Sequence, residues 1–218
     1  MHGCFCYDHL WPLGSPGRPA LAPFPLLALL ARHRRRVVLG TLVARVGLTP
    51  DDVLEAELAT MVGLTGGAFV AGLGTGDAKS APEHVAYGIP FPPAGERRDR
   101  LARLARRLTA AGATTWVGGG SASTNAVARE LGVALNLWAV PAAVVAAAAG
   151  TGEVTWGGTL PDDPGQAGAL LAELAAAGAT WAVVGWPGSI DPVVAAAEAG
   201  GVALARDLLA PPGQGAIG

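Results

Sequence analysis

The sequence is poor in lysine, cysteine, aromatic residues and charge, and each shortage closes off a class of function. Lys79 is the one lysine among 15 basic residues, and only 15% of the chain is charged, with a net charge of −2. Such a balance offers no electrostatic footprint for nucleic acid or for an anionic membrane surface. Two cysteines, Cys4 and Cys6, are too few and too close for a disulfide framework, which points to a cytoplasmic protein. The N-terminus has no basic stretch ahead of an apolar one, so no secretory leader is expected. Residues 131–152 carry no charge, yet they include Asn136 and Pro141 and are rich in alanine. They read as a buried strand, a turn and a helix rather than a membrane span.

What is present is 51% hydrophobic residues, 32 glycines and 17 prolines in 218 residues, enough for one sizeable α/β core. Strand and helix signals alternate throughout. Seven strand signals fall at 3–8, 36–43, 68–73, 114–118, 133–138, 153–157 and 180–185. Helices are predicted over Ala22–Arg32, from Pro50 with Thr49 as N-cap, over Glu96–Ala111, and at 121–131, 141–149, 163–177 and 190–199. Residues 75–95 read as a long loop, which in a compact domain is usually functional. The expectation is one domain over residues 1–210 with a frayed tail at 211–218. Its fold would be a (β/α)-barrel, with an open doubly wound sheet as the alternative.

The chemistry gathers at strand ends. Phe69-Val70-Ala71 runs into Gly72, Gly74 and Gly76 and then Asp77, bringing backbone and a carboxylate to one place. The first strand ends in Asp8-His9, a pair suited to proton transfer. Gly118-Gly119-Gly120-Ser121 follows a strand and opens a helix, as a phosphate cradle does, but without a nucleoside-triphosphate loop pattern. His2, Cys4, Cys6, Asp8 and His9 leave a metal-dependent hydrolase as an alternative, although no second ligand group with recognisable spacing follows. The arginines at 32 and 34–36 cluster around a helix C-terminus, and those between Arg97 and Arg107 form a solvated helical face. No aromatics are interleaved to stack bases. Arg97 is the exception, being nearest the long loop. The six tryptophans fall mostly in strand-like segments and read as core or pocket wall.

These motifs, in this order, resemble the luciferase-like monooxygenase superfamily, specifically its coenzyme F420-dependent branch. The matching pieces are Tyr7-Asp8-His9-Leu10, Val37–Val43, Gly66–Asp77, Glu83, Ala86–Pro90, Glu96-Arg97 and Val117–Ser121. The resemblance covers residues 3–131. It implies a (β/α)8 TIM-type barrel lacking its first strand and its lid insertion, since Leu108–Thr115 crosses directly to the next strand. It further implies hydride transfer between coenzyme F420, or alternatively FMN, and a small organic substrate. Asp8 and His9 would lie beside the cofactor ring, with His9 as proton donor or substrate orienter. Thr41, Leu42 and Val43 would lie at the ring face, where the family often has a non-prolyl cis peptide. Asp77 would be a general acid, Ser80 a cofactor contact, and Gly118, Gly119, Gly120 and Ser121 the phosphate holders. Two exposed sheet edges would make a homodimer the natural assembly. A non-catalytic cofactor-binding subunit is the alternative within the same family.

Overall fold

The computed structural model describes residues 3–12, 15–33, 37–185 and 195. The helix expected over 190–199, of which Ala195 alone is described, the tail from 211 and His2 lie outside the described residues.

All seven strand signals become strands, and one of them is split. The strands are β1 (Gly3–Cys6), β2 (Val38–Thr41), β3 (Ala44–Arg45), β4 (Phe69–Gly74), β5 (Thr114–Gly119), β6 (Ala134–Trp138), β7 (Val154–Gly158) and β8 (Ala179–Val184). The segment expected as one strand over 36–43 is interrupted by a cis peptide between Leu42 and Val43. Beyond it the chain resumes as β3, which pairs with β4 at Leu73 and Gly74. Every pairing is parallel, in the order β1-β2-β4-β5-β6-β7-β8 with β3 beside β4. Parallel strands need crossovers, supplied by α1 (Pro23–His33), α2 (Asp51–Leu64), α3 (Ala81–Ala86), α4 (Ala94–Ala110), α5 (Ala122–Leu131), α6 (Ala142–Ala149) and α7 (Pro164–Ala176).

The sheet curls into a nearly closed barrel. Phe5 of β1 stacks on Trp116 of β5 with ring centroids 5.2 Å apart, and Trp181 of β8 meets both rings edge-on at 6.2 and 5.5 Å. First, middle and last strands therefore share one interior, filled further by Val70, Ala134, Val38, Leu42 and Val183. On the outer face Leu39, Phe69, Leu73, Val117, Leu135 and Trp156 pack against helix residues such as Leu27, Leu58, Leu101 and Leu104. Burial on both faces explains why these strands are near-continuous apolar runs; all six residues of β4 are buried. The architecture is α/β and of the TIM-barrel type. Seven strand positions are described, the second of them split, where a closed barrel has eight.

Two local readings shift. The N-cap of α2 is Pro50, not Thr49, and no side chain caps it, while Asp51 and Asp52 occupy its first turn. Residues 75–95 are not a featureless loop, because a 3-10 turn (Ala78–Ser80) and α3 stand there. From α4 the chain reaches β5 within the turn at Ala111–Ala113, so the crossover at Leu108–Thr115 is as direct as expected. Residues 131–152 form β6 and α6, and among the described residues no helix is long and apolar enough to cross a membrane.

Candidate active site

Four charged or titratable side chains meet where β1, β3 and α3 converge. Asp8 follows β1 and is buried. Its carboxylate accepts from the main-chain N–H of Arg45 and, at 2.7 Å, from the Arg45 Nε, while Arg45 Nη2 donates to the Asp8 carbonyl at 3.0 Å. The same Nη2 lies 2.8 Å from Glu83 Oε2 on α3. The other carboxylate oxygen of Glu83 is 2.7 Å from Nδ1 of His9. Arg45 and Glu83 are 3% and 2% exposed, so both charges are tolerated only because each finds a partner. Burial raises the pKa of Glu83, but the bonds from His9 and Arg45, with their charge, outweigh it and hold the carboxyl below its ordinary value. At Asp8 burial wins over Arg45 and raises the carboxyl. The His9 side chain remains 24% exposed.

The segment that carries Glu83 is fastened from several sides. Asp77 caps the 3-10 turn, its Oδ1 accepting from the N–H groups of Lys79 at 2.9 Å and Ser80 at 3.2 Å. The Ser80 hydroxyl donates to the same oxygen at 3.3 Å and accepts from Asp77 N–H at 3.4 Å. Arg97 of α4, the arginine nearest this segment, is buried. It donates to the carbonyls of Thr75 (2.9 Å), Pro92 (2.6 Å) and Gly76 (3.5 Å), and its guanidinium sits 3.9 Å over the Phe91 ring. His84 Nδ1 bonds the Pro90 carbonyl at 3.1 Å, and Tyr87 Oη donates to the Leu10 carbonyl at 3.3 Å.

Between this network and β5 lies the end of β2. Thr41 is fully buried, with its hydroxyl donating to the Gly72 carbonyl at 2.8 Å. Leu42 joins the barrel interior. Val43 covers Gly118, where an added Cβ would stand 2.7 Å from the Val43 Cγ1, so only glycine fits beneath it. After β5, Gly120 opens onto empty space and Ser121 caps α5, accepting from Thr124 N–H at 3.2 Å. The Ser123 and Thr124 hydroxyls lie 3.1 and 3.0 Å from the Ser121 Oγ. Asn125 Oδ1, which would stand 2.3 Å from a Cβ on Gly119, is buried without a partner.

The structure thus joins Asp8 and His9 through two residues whose roles the sequence left unassigned, Arg45 and Glu83. Asp77 and Ser80 are joined to each other. Of Thr41, Leu42 and Val43, Val43 reaches the glycine-rich turn, at Gly118. Cys4 and Cys6 pack against the main core. Burial raises both thiols, Cys6 to about 11 with Cys4 adding to it, which opposes a thiolate ligand. Among the described residues no group of three or more His, Cys, Asp or Glu side chains is placed to hold a metal. A groove of about 610 Å³ between α1 and α2, lined by Phe24, Ala28, Val53 and Met61, lies on the helical exterior.

Polar groups from several strand ends, on the carboxyl side of a curled parallel sheet, define the class of (β/α)-barrel that carries its chemistry at that face. No family model and no curated protein matches the chain. Solved structures do. The chain is similar to the coenzyme F420-dependent tetrahydromethanopterin reductase from Methanopyrus kandleri, with a TM-score of 0.68 and 14% identity, covering 92% of this chain and 89% of that one. It is similar to an F420-dependent secondary alcohol dehydrogenase solved with an F420–acetone adduct (TM-score 0.66, 12% identity, 83% of each chain). A monooxygenase from Streptomyces bottropensis matches with a TM-score of 0.69 and 14% identity over 84% of this chain and 80% of that one. The likeness at these identities is one of fold.

Proposed function

We propose that this chain is an oxidoreductase of the luciferase-like type, which binds coenzyme F420, or alternatively FMN, across the strand ends and moves hydride to or from a small organic substrate. One observation carries the reading. His9, still partly exposed and tied through Nδ1 to a buried carboxylate, stands on the same face of the barrel as the hydroxyl-capped start of α5. The residues fit such a cofactor at its phosphate end. Gly120 leaves open space, and α5 presents its N-terminus with three hydroxyls. When bound, the deazaflavin or flavin ring supplies the hydride-accepting or hydride-donating centre.

The chain supplies the rest. Gly118–Gly120 and Ser121 would hold the phosphate, Val43 and Leu42 would bound the ring, and Asp8 would act from behind the Leu42–Val43 turn through Arg45. His9 would give or take, at Nε2, the substrate proton that accompanies hydride transfer. Asp77 would serve as a second acid only by leaving its cap on the 3-10 turn, because its Oδ1 is now engaged with Lys79 and Ser80.

Fluorescence titration with F420 and, separately, FMN tests the reading. Saturable binding at micromolar concentration, weakened by Gly119→Asp, is expected; failure to bind either cofactor overturns it. With a substrate in hand, His9→Ala should lower kcat by about 100-fold or more while leaving cofactor affinity nearly unchanged. Cofactor binding without turnover, with His9→Ala leaving function intact, would instead mark a non-catalytic cofactor-binding subunit.

A further inference from the structure

We propose that Glu83, clamped by Arg45, is a positioning residue that fixes the tautomer of His9, so that Nδ1 carries the proton and Nε2 is the nitrogen offered to the reacting atoms. The inference rests on His9 as the acid–base group of the reading above, but its geometry stands without a cofactor. An ionised carboxylate can only accept hydrogen bonds, so a nitrogen 2.7 Å from Glu83 Oε1 must be the donor. Glu83 stays ionised because Arg45 Nη2 sits 2.8 Å from its second oxygen. Arg45 cannot turn away, since its Nε and its main-chain N–H are both engaged by the Asp8 carboxylate.

The arrangement is a relay from Asp8 through Arg45 and Glu83 to His9, with the last link the only one that is partly exposed. Nothing in it requires Glu83 to touch substrate. A third group that orients the base is a recurring device of acid–base sites, and here it is a carboxylate on a neighbouring element, 74 residues along the chain. The Tyr7 ring, 5.3 Å from that of His9, fixes the other flank of the imidazole. The titratable and charged groups around His9 are then Glu83 in direct contact and Tyr7 at its edge. Asp8 precedes it in the chain, Arg45 stands behind Glu83, and His84 is the neighbour of Glu83 on α3.

Side-chain nitrogen NMR of the full chain labelled with nitrogen-15, with no cofactor added, reads the tautomer directly. The His9 signals are assigned by their loss in His9→Gln. The expected spectrum at neutral pH shows a protonated Nδ1 and an unprotonated Nε2. In Glu83→Leu, which removes both accepting oxygens, the preference should be lost and a population protonated at Nε2 should appear. A wild-type His9 protonated at Nε2 overturns the proposal without any variant having to fold, and so does an unchanged tautomer in a folded Glu83→Leu. Because neither measurement contains F420 or FMN, a failure to bind cofactor leaves this inference standing. The wrong tautomer in a chain that binds cofactor sinks the inference alone.

Discussion

At the ends of β1 to β4 the barrel mouth is charged and buried, with Asp8, Arg45, Glu83 and His9 in one network and Arg97 behind it. Across the barrel, β5 to β8 contain no charged residue at all. Their polar groups are small and neutral, such as the fully buried Thr155, whose hydroxyl accepts from Asn136 Nδ2 at 2.9 Å. Among the described residues the network of the first half can hold and move protons, while the strands of the second half shape, stack and hydrogen-bond. The physical consequence is unequal tolerance. A buried charge is stable only while its partner is present, whereas a neutral pair that is broken loses one modest bond.

The sharpest way to break this contrast is Arg45→Met. It fills much of the same volume but leaves the carboxylates of Asp8 and Glu83 buried without their cation. A loss of about 3–5 kcal/mol is expected in urea unfolding, typical of a buried pair reduced to one partner. A loss below about 1 kcal/mol would mean that water, not Arg45, satisfies these groups.

The matching cut in the neutral half is Thr155→Val, which keeps the shape and removes the hydroxyl. The Asn136 amide then loses its acceptor in the barrel interior, and the expected loss is about 1–3 kcal/mol by the same measurement. If Thr155→Val proved as costly as Arg45→Met, the difference between the halves would be one of depth rather than of charge.

How much of this was visible beforehand follows the range of each interaction. The strands were legible because burial on both faces leaves long apolar runs, as in Phe69–Gly74. The break at Leu42–Val43 was not legible from Leu and Val themselves; only the resemblance pointed to that strand end. α3 went unread because six residues containing Pro82 and two titratable groups show no helical periodicity. Asp8, His9 and the turn Gly118–Ser121 announced themselves as polar groups at strand ends. Arg45 did not, because its partner Asp8 is 37 residues away and no local pattern joins them. Its one local clue was a charge between Ala44 and Val46, both of which are buried. Glu83 stood inside the matching motif, but its role depends on a contact 74 residues distant.

A smaller effect separates the two carboxylates of the charged half. Glu83 is held below its ordinary value of 4.5, so its contribution to stability is present above that value and is lost as the pH falls through the folded one. Asp8 is raised above 3.8 by burial, so its contribution has the opposite sign and weakens the fold as pH rises through the folded value. Unfolding followed from about pH 7 to about pH 2 should therefore show the wild type losing more stability on acidification than Glu83→Gln does. Parallel curves for the two proteins would remove Glu83 as a source of acid sensitivity.

The least costly change should be Arg106→Ala, and that small cost is itself informative. Arg106 pairs with Glu130 between α4 and α5 at 3.4 Å, with both side chains more than half exposed. Water screens such a pair and already solvates each partner alone, so the expected loss is within about 0.5 kcal/mol and shrinks further in salt. The chain would then carry arginines of one chemistry with opposite consequences. The exposed one is nearly dispensable, and Arg45 is indispensable because the barrel wall has taken its water away. A loss at Arg106 approaching that at Arg45 would show that charge alone, rather than charge buried at the strand ends, makes the first half of the barrel sensitive.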